Sequence, residues 1–511
     1  MSATEPRIAP TSASRLARLG PVAALLAAIT AARLIALFFS GLDLHPDEAQ
    51  YWSWSRALDW GYFSKPPMVG WIIAGAGAVC GSAEACIRAP VSLLHMATAL
   101  AIYGIGRRLY DMRVGAVAAL AFITLPGVAF SANVVSTDPP LMTFWALGLY
   151  ALVRLQHAPA RPLAWWVVLG GAVGFGLMSK YAMLFFVIGL AFLLVFDGVC
   201  RRRLLAGRQG WVGLALALAI AAVIYAPNLL WNMAQGFVTF AHTGSNANLR
   251  GSLFHPLELA EFLLSQFGVF GPILFAALVW IVLRPRAWWG DGRTRLLAAF
   301  VLPMLLTITV LALLSRANAN WAAPVYIGAS IWVAAVLVPL ATRWLRWSFI
   351  INGAVAVALL VMPVAASGPG VYAGLRLPAG ADPFASYHGW RQFGGAVAAL
   401  SAGLPGVPLL SDDRKVIAAL LYYAHPPMGN IHAWHPGPKV DDHFKLTRPL
   451  SPRAGGDVLF ISRFPEHAHI RDRFASATEI AALEAPGSLG RGHPIRVIHL
   501  RGFLGYKAAR P

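Results

Sequence analysis

The chain has 511 residues, of which 58% are hydrophobic and only 12% charged, about half the charged share of an ordinary soluble domain. Its formal charge of +19 would suit nucleic acid, but 18 of the 41 lysines and arginines lie in the N-terminal tail and in short gaps between apolar runs. Membrane topology accounts for those positions, so no nucleic-acid partner is expected. Three cysteines are too few for a disulfide framework and have no zinc-type spacing with histidine, which leaves a Cys80–Cys86 bridge as an open alternative.

In chain order, a basic tail (Arg7, Arg15, Arg18) precedes an apolar run at 21–40. That run is longer than a signal-peptide core and has no convincing cleavage site, so it is expected to stay as an anchor. Further spans are expected at 87–106, 114–132, 139–156, 163–179, 181–198, 211–231, 266–283, 296–314, 321–340 and 347–366, making about eleven transmembrane helices. The gaps alternate in charge. One set holds Arg107, Arg108, Arg113, Arg154, Arg161, Arg201 to Arg203, Arg208, Arg284, Arg286, Arg293, Arg295, Arg343 and Arg346; the other holds only Arg56, Lys65, Lys180, Arg250 and Arg316. The positive-inside rule makes the first set cytoplasmic. Loop 41–86, the turn before Asp138, loop 232–265 and everything after 367 then face the periplasm.

Within loop 41–86, Asp47 to Leu58 reads as an amphipathic helix and Pro67 to Cys80 as a second apolar one, both expected along the membrane surface. After 367, β-like runs (407–410, 458–461, 495–500) alternate with helical patterns at 390–400 and 415–423. The expected organisation is a tail at 1–20, an α-helical polytopic membrane domain at 21–366 and a soluble α/β-like domain at 367–511.

Two acidic positions stand out. His45-Pro46-Asp47-Glu48 puts an adjacent acid pair just after the first span, and Ser136-Thr137-Asp138-Pro139-Pro140 puts a lone acid at the mouth of the fourth. Each also reads as a helix-start charge or cap. Two carboxylates brought to one face suit glycosyl transfer, where one takes the proton of the attacking hydroxyl and the other positions the acceptor or steadies an oxocarbenium-like transition state. Lys65, Lys180, Arg88 and Arg316 fall at the same membrane boundary and suit a phosphate, although lysines and arginines there also snorkel. Arg33, inside the first span, reads as a structural residue bonded to a neighbouring helix. A divalent metal beside the acids is compatible with the pattern but not specified by it.

The run Pro46-Asp47-Glu48-Ala49-Gln50-Tyr51-Trp52 with Gly61-Tyr62-Phe63-Ser64-Lys65-Pro66-Pro67 resembles the first outer loop of bacterial family 39-like glycosyltransferases of the GT-C superfamily. That group includes protein O-mannosyltransferases, the lipid A aminoarabinose transferase and rhizobial lipopolysaccharide galacturonosyltransferases. Thr137-Asp138-Pro139-Pro140-Leu141, Gly176-Leu177-Met178-Ser179-Lys180-Tyr181, Pro227-Asn228-Leu229-Leu230-Trp231-Asn232, Asn320-Trp321-Ala322-Ala323-Pro324 and Gly389-Trp390 follow in the family's order. The resemblance implies a GT-C fold and an inverting single displacement from a polyprenyl-phosphate-linked sugar to a glycolipid or protein acceptor. It implies Asp47 as catalytic base with Glu48 and Asp138 in support. Lys65 would take the donor phosphate, with His45, Tyr62, Arg88, Lys180, Arg316 and Asn320 as further donor-binding candidates. Relatives often carry Asp-His where this chain has Ser64-Lys65, which leaves the donor headgroup open. A lipid or solute transporter is the rival reading, as is a noncatalytic GT-C-like assembly protein. No internal repeat is visible, and the polar residues gather at one membrane face instead of the midplane.

Overall fold

The computed structural model describes residues 12–157, 159–249, 253–378, 380–425, 430–451, 455–487 and 494–506; most of the expected tail, and Arg250, lie outside them. Helices occupy all eleven expected places. Among the described residues, six are long and apolar enough to cross a membrane, and eight if each of two bent pairs counts as one span. The expected eleven is therefore not reproduced by length and apolarity. Met112–Ile123 and Val325–Leu340 are short, and Asp138–Gln156 carries Asp138 and Arg154 with a Pro pair. Val325–Leu340 is buried almost throughout, and Asp138–Gln156 nearly so. Neighbouring helices cover these segments where lipid would otherwise have to, which relaxes the demand for bilayer-matched length.

One bend has a clear local cause. Pro256–Val269 and Pro272–Val282 meet at 119°. Gly271 between them has φ +85°, a conformation that suits glycine, and a Cβ there would lie 2.2 Å from Asn352 Oδ1.

Beyond the last long helix, Thr342–Ala365, the chain forms a small antiparallel sheet of β1 (Ala366–Gly368), β2 (Val371–Tyr372) and β3 (Leu375–Arg376). A five-stranded sheet follows, built from β4 (Leu409–Ser411), β5 (Ile431–Ala433), β6 (Val458–Ser462), β7 (Phe474–Leu483) and β8 (Ile495–Phe503) in the order β5-β4-β6-β8-β7. β4 pairs in parallel with β5 and β6, whereas β8 is antiparallel to β6 and β7. β4 and β6 are entirely buried, as expected of parallel strands covered on both faces. The expected runs at 407–410, 458–461 and 495–500 are β4, β6 and β8.

Loop 41–86 packs against the C-terminal unit through its first helix. Its first helix, Pro46–Ser55, is mostly buried, because Leu44, Ala49, Tyr51 and Trp54 share one apolar cluster with Trp390, Phe393, Val416 and Leu420 of the C-terminal unit. Polar contacts reinforce this packing. Asp43 Oδ2 accepts the Trp390 N–H (2.9 Å), Leu44 N–H donates to Tyr423 Oη (2.6 Å), and Glu84 receives Arg391 Nη2 (2.6 Å). The second loop helix, Met68–Cys80, is tied to the start of Glu84–Leu109 by a Cys80–Cys86 disulfide. In the membrane part, Arg33 donates to the Ile123 carbonyl (2.6 Å), which agrees with its structural reading.

Candidate active site

The loop between the two helices is fastened to the bundle by two backbone carbonyls and one carboxylate. Asn228 Nδ2 donates to the Trp60 carbonyl (2.7 Å), Thr239 Oγ1 donates to that of Tyr62 (2.8 Å), and Trp231 Nε1 donates to Asp59 (2.6 Å). A Cβ at Gly61 would lie 2.5 Å from the Trp231 ring, so this seat requires glycine. Tyr62 stacks on Trp54 with 4.3 Å between ring centroids and donates its hydroxyl to the Trp54 carbonyl (3.0 Å). A tight turn closed by the Tyr62 N–H on the Lys65 carbonyl (3.0 Å) then presents Lys65 to a cavity.

That cavity, of about 550 Å³, is lined by eight of the ten expected site residues: His45, Asp47, Glu48, Lys65, Asp138, Lys180, Arg316 and Asn320. The three acids differ in what holds them. Glu48 is closed off: Arg88 donates Nε and Nη2 (2.9 and 2.7 Å), and the Val135 and His45 N–H groups donate at 2.8 and 2.9 Å. Asp138 receives Lys180 Nζ on one oxygen and Asn320 Nδ2 on the other, both at 2.6 Å. Asp47, 43% exposed, is held through Oδ1 alone, by Arg414 Nη1 at 2.8 Å. Among the described residues its Oδ2 has only the His45 ring, 3.8 Å away. His45 Nδ1 accepts the Asp47 N–H (3.2 Å), so this nitrogen carries no proton and the ring is neutral.

Burial pushes the Asp47 carboxyl up, but the charge of Arg414 and its hydrogen bond, with Lys415 behind it, hold it below the usual range. The Lys65 ammonium has no hydrogen bond or ion pair with another described residue. Burial, then Lys180, lower its pKa to about 8 against the opposing pull of Asp138 and Asp47. Arg316 likewise lines the cavity without a partner among the described residues. The histidines there are neutral: burial, then Lys65 and Arg414, hold His242 at about 4, and burial, then Arg448, hold His443 at about 3. The open positive charge thus comes from Lys65 and Arg316. No group of three or more His, Cys, Asp or Glu side chains among the described residues is placed to hold a metal ion, and each acid already has its own cation. The donor set does not fit a divalent metal.

A second, largely apolar groove of about 400 Å³ adjoins this cavity and shares Val134, Ser136, Asp138, Asn320 and Tyr387 with it. It runs down between helices past Val128, Met142, Val269 and Tyr326.

A family model described as dolichyl-phosphate-mannose-protein mannosyltransferase matches residues 64–231. The lipid A galacturonosyltransferase RgtD of Rhizobium johnstonii is 34% identical over 431 residues, covering 84% of this chain and 88% of that protein. The chain belongs to the GT-C membrane glycosyltransferases. The lipopolysaccharide core galacturonosyltransferase RgtB of the same organism is 28% identical, over 73% of this chain and 78% of its own. Among solved structures, ArnT from Cupriavidus metallidurans bound to undecaprenyl phosphate superposes with TM-score 0.62 at 17% identity, covering 94% of this chain and 98% of that one, which shows a shared fold.

Two expected residues of this GT-C glycosyltransferase do not reach the cavity. Arg88 spends four of its five N–H donors on Glu48 and on the Leu42 and Asp43 carbonyls, the last two at 3.1 and 2.7 Å, and it is buried away from the cavity. Tyr62 is buried against Trp54, and its role is to shape the loop. Glu48 touches the cavity wall, and its four donors make it the acid of a capping box and of a buried ion pair. The site also holds Arg414, His443 and Tyr387 from beyond residue 367, which were not anticipated. The one available signal was the charged run Asp412-Asp413-Arg414-Lys415 between an apolar strand and a helix.

Proposed function

We propose that this glycosyltransferase moves a galacturonosyl group from a polyprenyl-phosphate carrier to lipid A on the outer face of a bacterial inner membrane. The observation that carries the reading is the join between the two hollows. A polar cavity with free Lys65 and Arg316 cations and the open Asp47 oxygen meets an apolar groove at Asp138 and Asn320. An isoprenoid phosphate has this shape, an apolar tail carrying one charged head. The similarity to RgtD supports the sugar and the acceptor, and ArnT with its undecaprenyl phosphate supports the carrier.

In this reading the acceptor hydroxyl attacks the anomeric carbon as the bond from that carbon to the phosphate oxygen breaks. The configuration inverts, the hydroxyl proton passes to Asp47 Oδ2, and the phosphate leaves as an anion against Lys65 and Arg316. A phosphate leaves without being protonated, so one base suffices where a glycosidase also needs an acid. Asp138 keeps Lys180 and Asn320 in place at the mouth of the groove. The arginine-rich gaps at the opposite end support an orientation with residues 41–86 and 367–511 in the periplasm, and a disulfide in that loop suits an oxidising compartment.

The test is transfer of labelled galacturonic acid from undecaprenyl phosphate to lipid A in proteoliposomes, with donor binding measured separately. Wild-type protein transfers the label, and Asp47→Asn binds donor but transfers it at least about a hundredfold more slowly. Transfer to core oligosaccharide or protein in place of lipid A overturns the acceptor. Asp47→Asn working at the wild-type rate overturns the catalytic assignment.

A further inference from the structure

The C-terminal unit meets the cavity at a particular edge of its sheet. From β4 the chain passes to β5 on one side, then crosses to β6 on the other, so the carboxyl ends of β4 and β6 flank a topological switch point. Such a point leaves a crevice in which α/β folds place polar ligand-handling residues. Here Asp412, Asp413 and Arg414 follow β4, and Arg463 follows β6. Asp413 caps helix Arg414–Tyr423 by accepting the Lys415 N–H (2.8 Å), and its other oxygen takes Arg463. The backbone of Arg414 is thereby fixed at the cavity wall. Its Nη1 donates to Asp47 Oδ1 (2.8 Å) and to Gln50 Oε1 (3.2 Å).

Docking alone does not require this pair. The shared apolar cluster and the contacts at Asp43, Leu44 and Glu84 already hold the two units together. Glu48 and Asp138 take their cations from within the membrane part and have both oxygens occupied; Asp47 takes its cation from the C-terminal unit, and its other oxygen has no hydrogen bond among the described residues.

We propose that Arg414 is a positioning residue for the transfer: it grips Asp47 by one oxygen and leaves the other turned to the acceptor hydroxyl, so the C-terminal unit completes the active site. The inference rests on Asp47 as the base proposed above. The charged and titratable groups around Asp47 are His45, Glu48 and Tyr51 on its own helix, Lys65 from the loop, Asp138 from the fourth span, Arg414 and Lys415 from the C-terminal helix, and Tyr387. Burial raises the Asp47 pKa, and Arg414 is the largest influence opposing it. Without Arg414, Asp47 protonates at higher pH, and the acidic limb of the rate profile moves up.

The experiment is a double-mutant cycle over Asp47→Asn and Arg414→Ala, with Arg414→Lys alongside, in the proteoliposome assay with undecaprenyl-phosphate galacturonic acid and rates expressed per donor-binding molecule. Arg414→Ala is expected to lower kcat about 10- to 100-fold at pH 7, to leave donor KM within about threefold, and to raise the acidic limb. Arg414→Lys should bring the limb back toward the wild-type position. In the Asp47→Asn background, Arg414→Ala should cost less than about threefold, because the carboxylate it positions is gone. An unmoved acidic limb in Arg414→Ala, a limb in Arg414→Lys displaced as far as in Arg414→Ala, or an equal loss in both backgrounds overturns the inference. An Asp47→Asn protein at the wild-type rate instead overturns the underlying assignment of the base.

Discussion

Lys65 offers the sharpest numerical test. An ordinary lysine titrates near 10.5, whereas this one is lowered to about 8, first by burial and then by Lys180. It is then about nine-tenths protonated at pH 7 and only about one-tenth at pH 9. If the ammonium binds the donor phosphate, kcat/KM for donor is full well below pH 8. It falls roughly tenfold per pH unit above that value, because the depressed pKa removes the charge as pH rises. Bound phosphate stabilises the ammonium, so the alkaline limb of kcat lies higher than that of kcat/KM. Lys65→Met removes a charge-assisted bond worth roughly 1.5 to 3 kcal/mol, about 10- to 150-fold in kcat/KM. Lys65→Arg keeps a charge that does not titrate in this range, so it should retain part of the activity and lose the limb near pH 8. The assay is initial transfer rate against donor concentration from pH 6 to 10 in proteoliposomes. Wild-type kcat/KM in Lys65→Met, or an unchanged limb in Lys65→Arg, would refute the phosphate role.

Glu48→Gln leaves Arg88, 1% exposed, without its counter-charge, so about 3 to 5 kcal/mol of stability should go and the melting temperature in detergent should fall. A variant that melts like wild type yet cannot transfer sugar would return Glu48 to the chemistry. Asp138→Asn removes an attraction that raises the Lys65 pKa, so the alkaline limb of kcat/KM should move below pH 8; an unmoved limb contradicts the coupling. A reporter active only in the periplasm, fused after residue 400, should be active, and activity of a cytoplasm-only reporter there would reverse the orientation.

Much of this was legible in the sequence because it is local or compositional. Apolar runs, clustered arginines and alternating gap charges identify a multi-pass membrane chain whatever its tertiary arrangement. The motifs around Asp47, Lys65, Asp138, Lys180 and Asn320 stand out as polar and charged residues at one membrane boundary, and all five line one cavity. Helices stand at all eleven expected places, while six to eight of them among the described residues meet the length and apolarity of a span. Hydropathy detects apolar segments but not whether lipid or protein covers them, and Val325–Leu340 is covered by protein. Strand β7, with the Ala-rich sequence Phe474–Leu483, resembles a helix until β8 pairs with it.

Pairing between distant charges was decided only by the tertiary structure. Glu48 and Asp47 are chain neighbours on one helix, so composition cannot tell them apart. One turns inward to Arg88, 40 residues away, and the other meets Arg414, 367 residues away. A helix turns adjacent side chains about 100° apart, so two neighbouring acids enter different surroundings, and those surroundings determine which is sealed and which stays open. Arg414 at the start of its helix looks like any solvated first-turn residue in sequence. It gains a role because the switch-point edge of the sheet is packed against the Pro46–Ser55 helix by an apolar cluster drawn from both ends of the chain. That packing depends on the joint fit of many side chains, which no local pattern records.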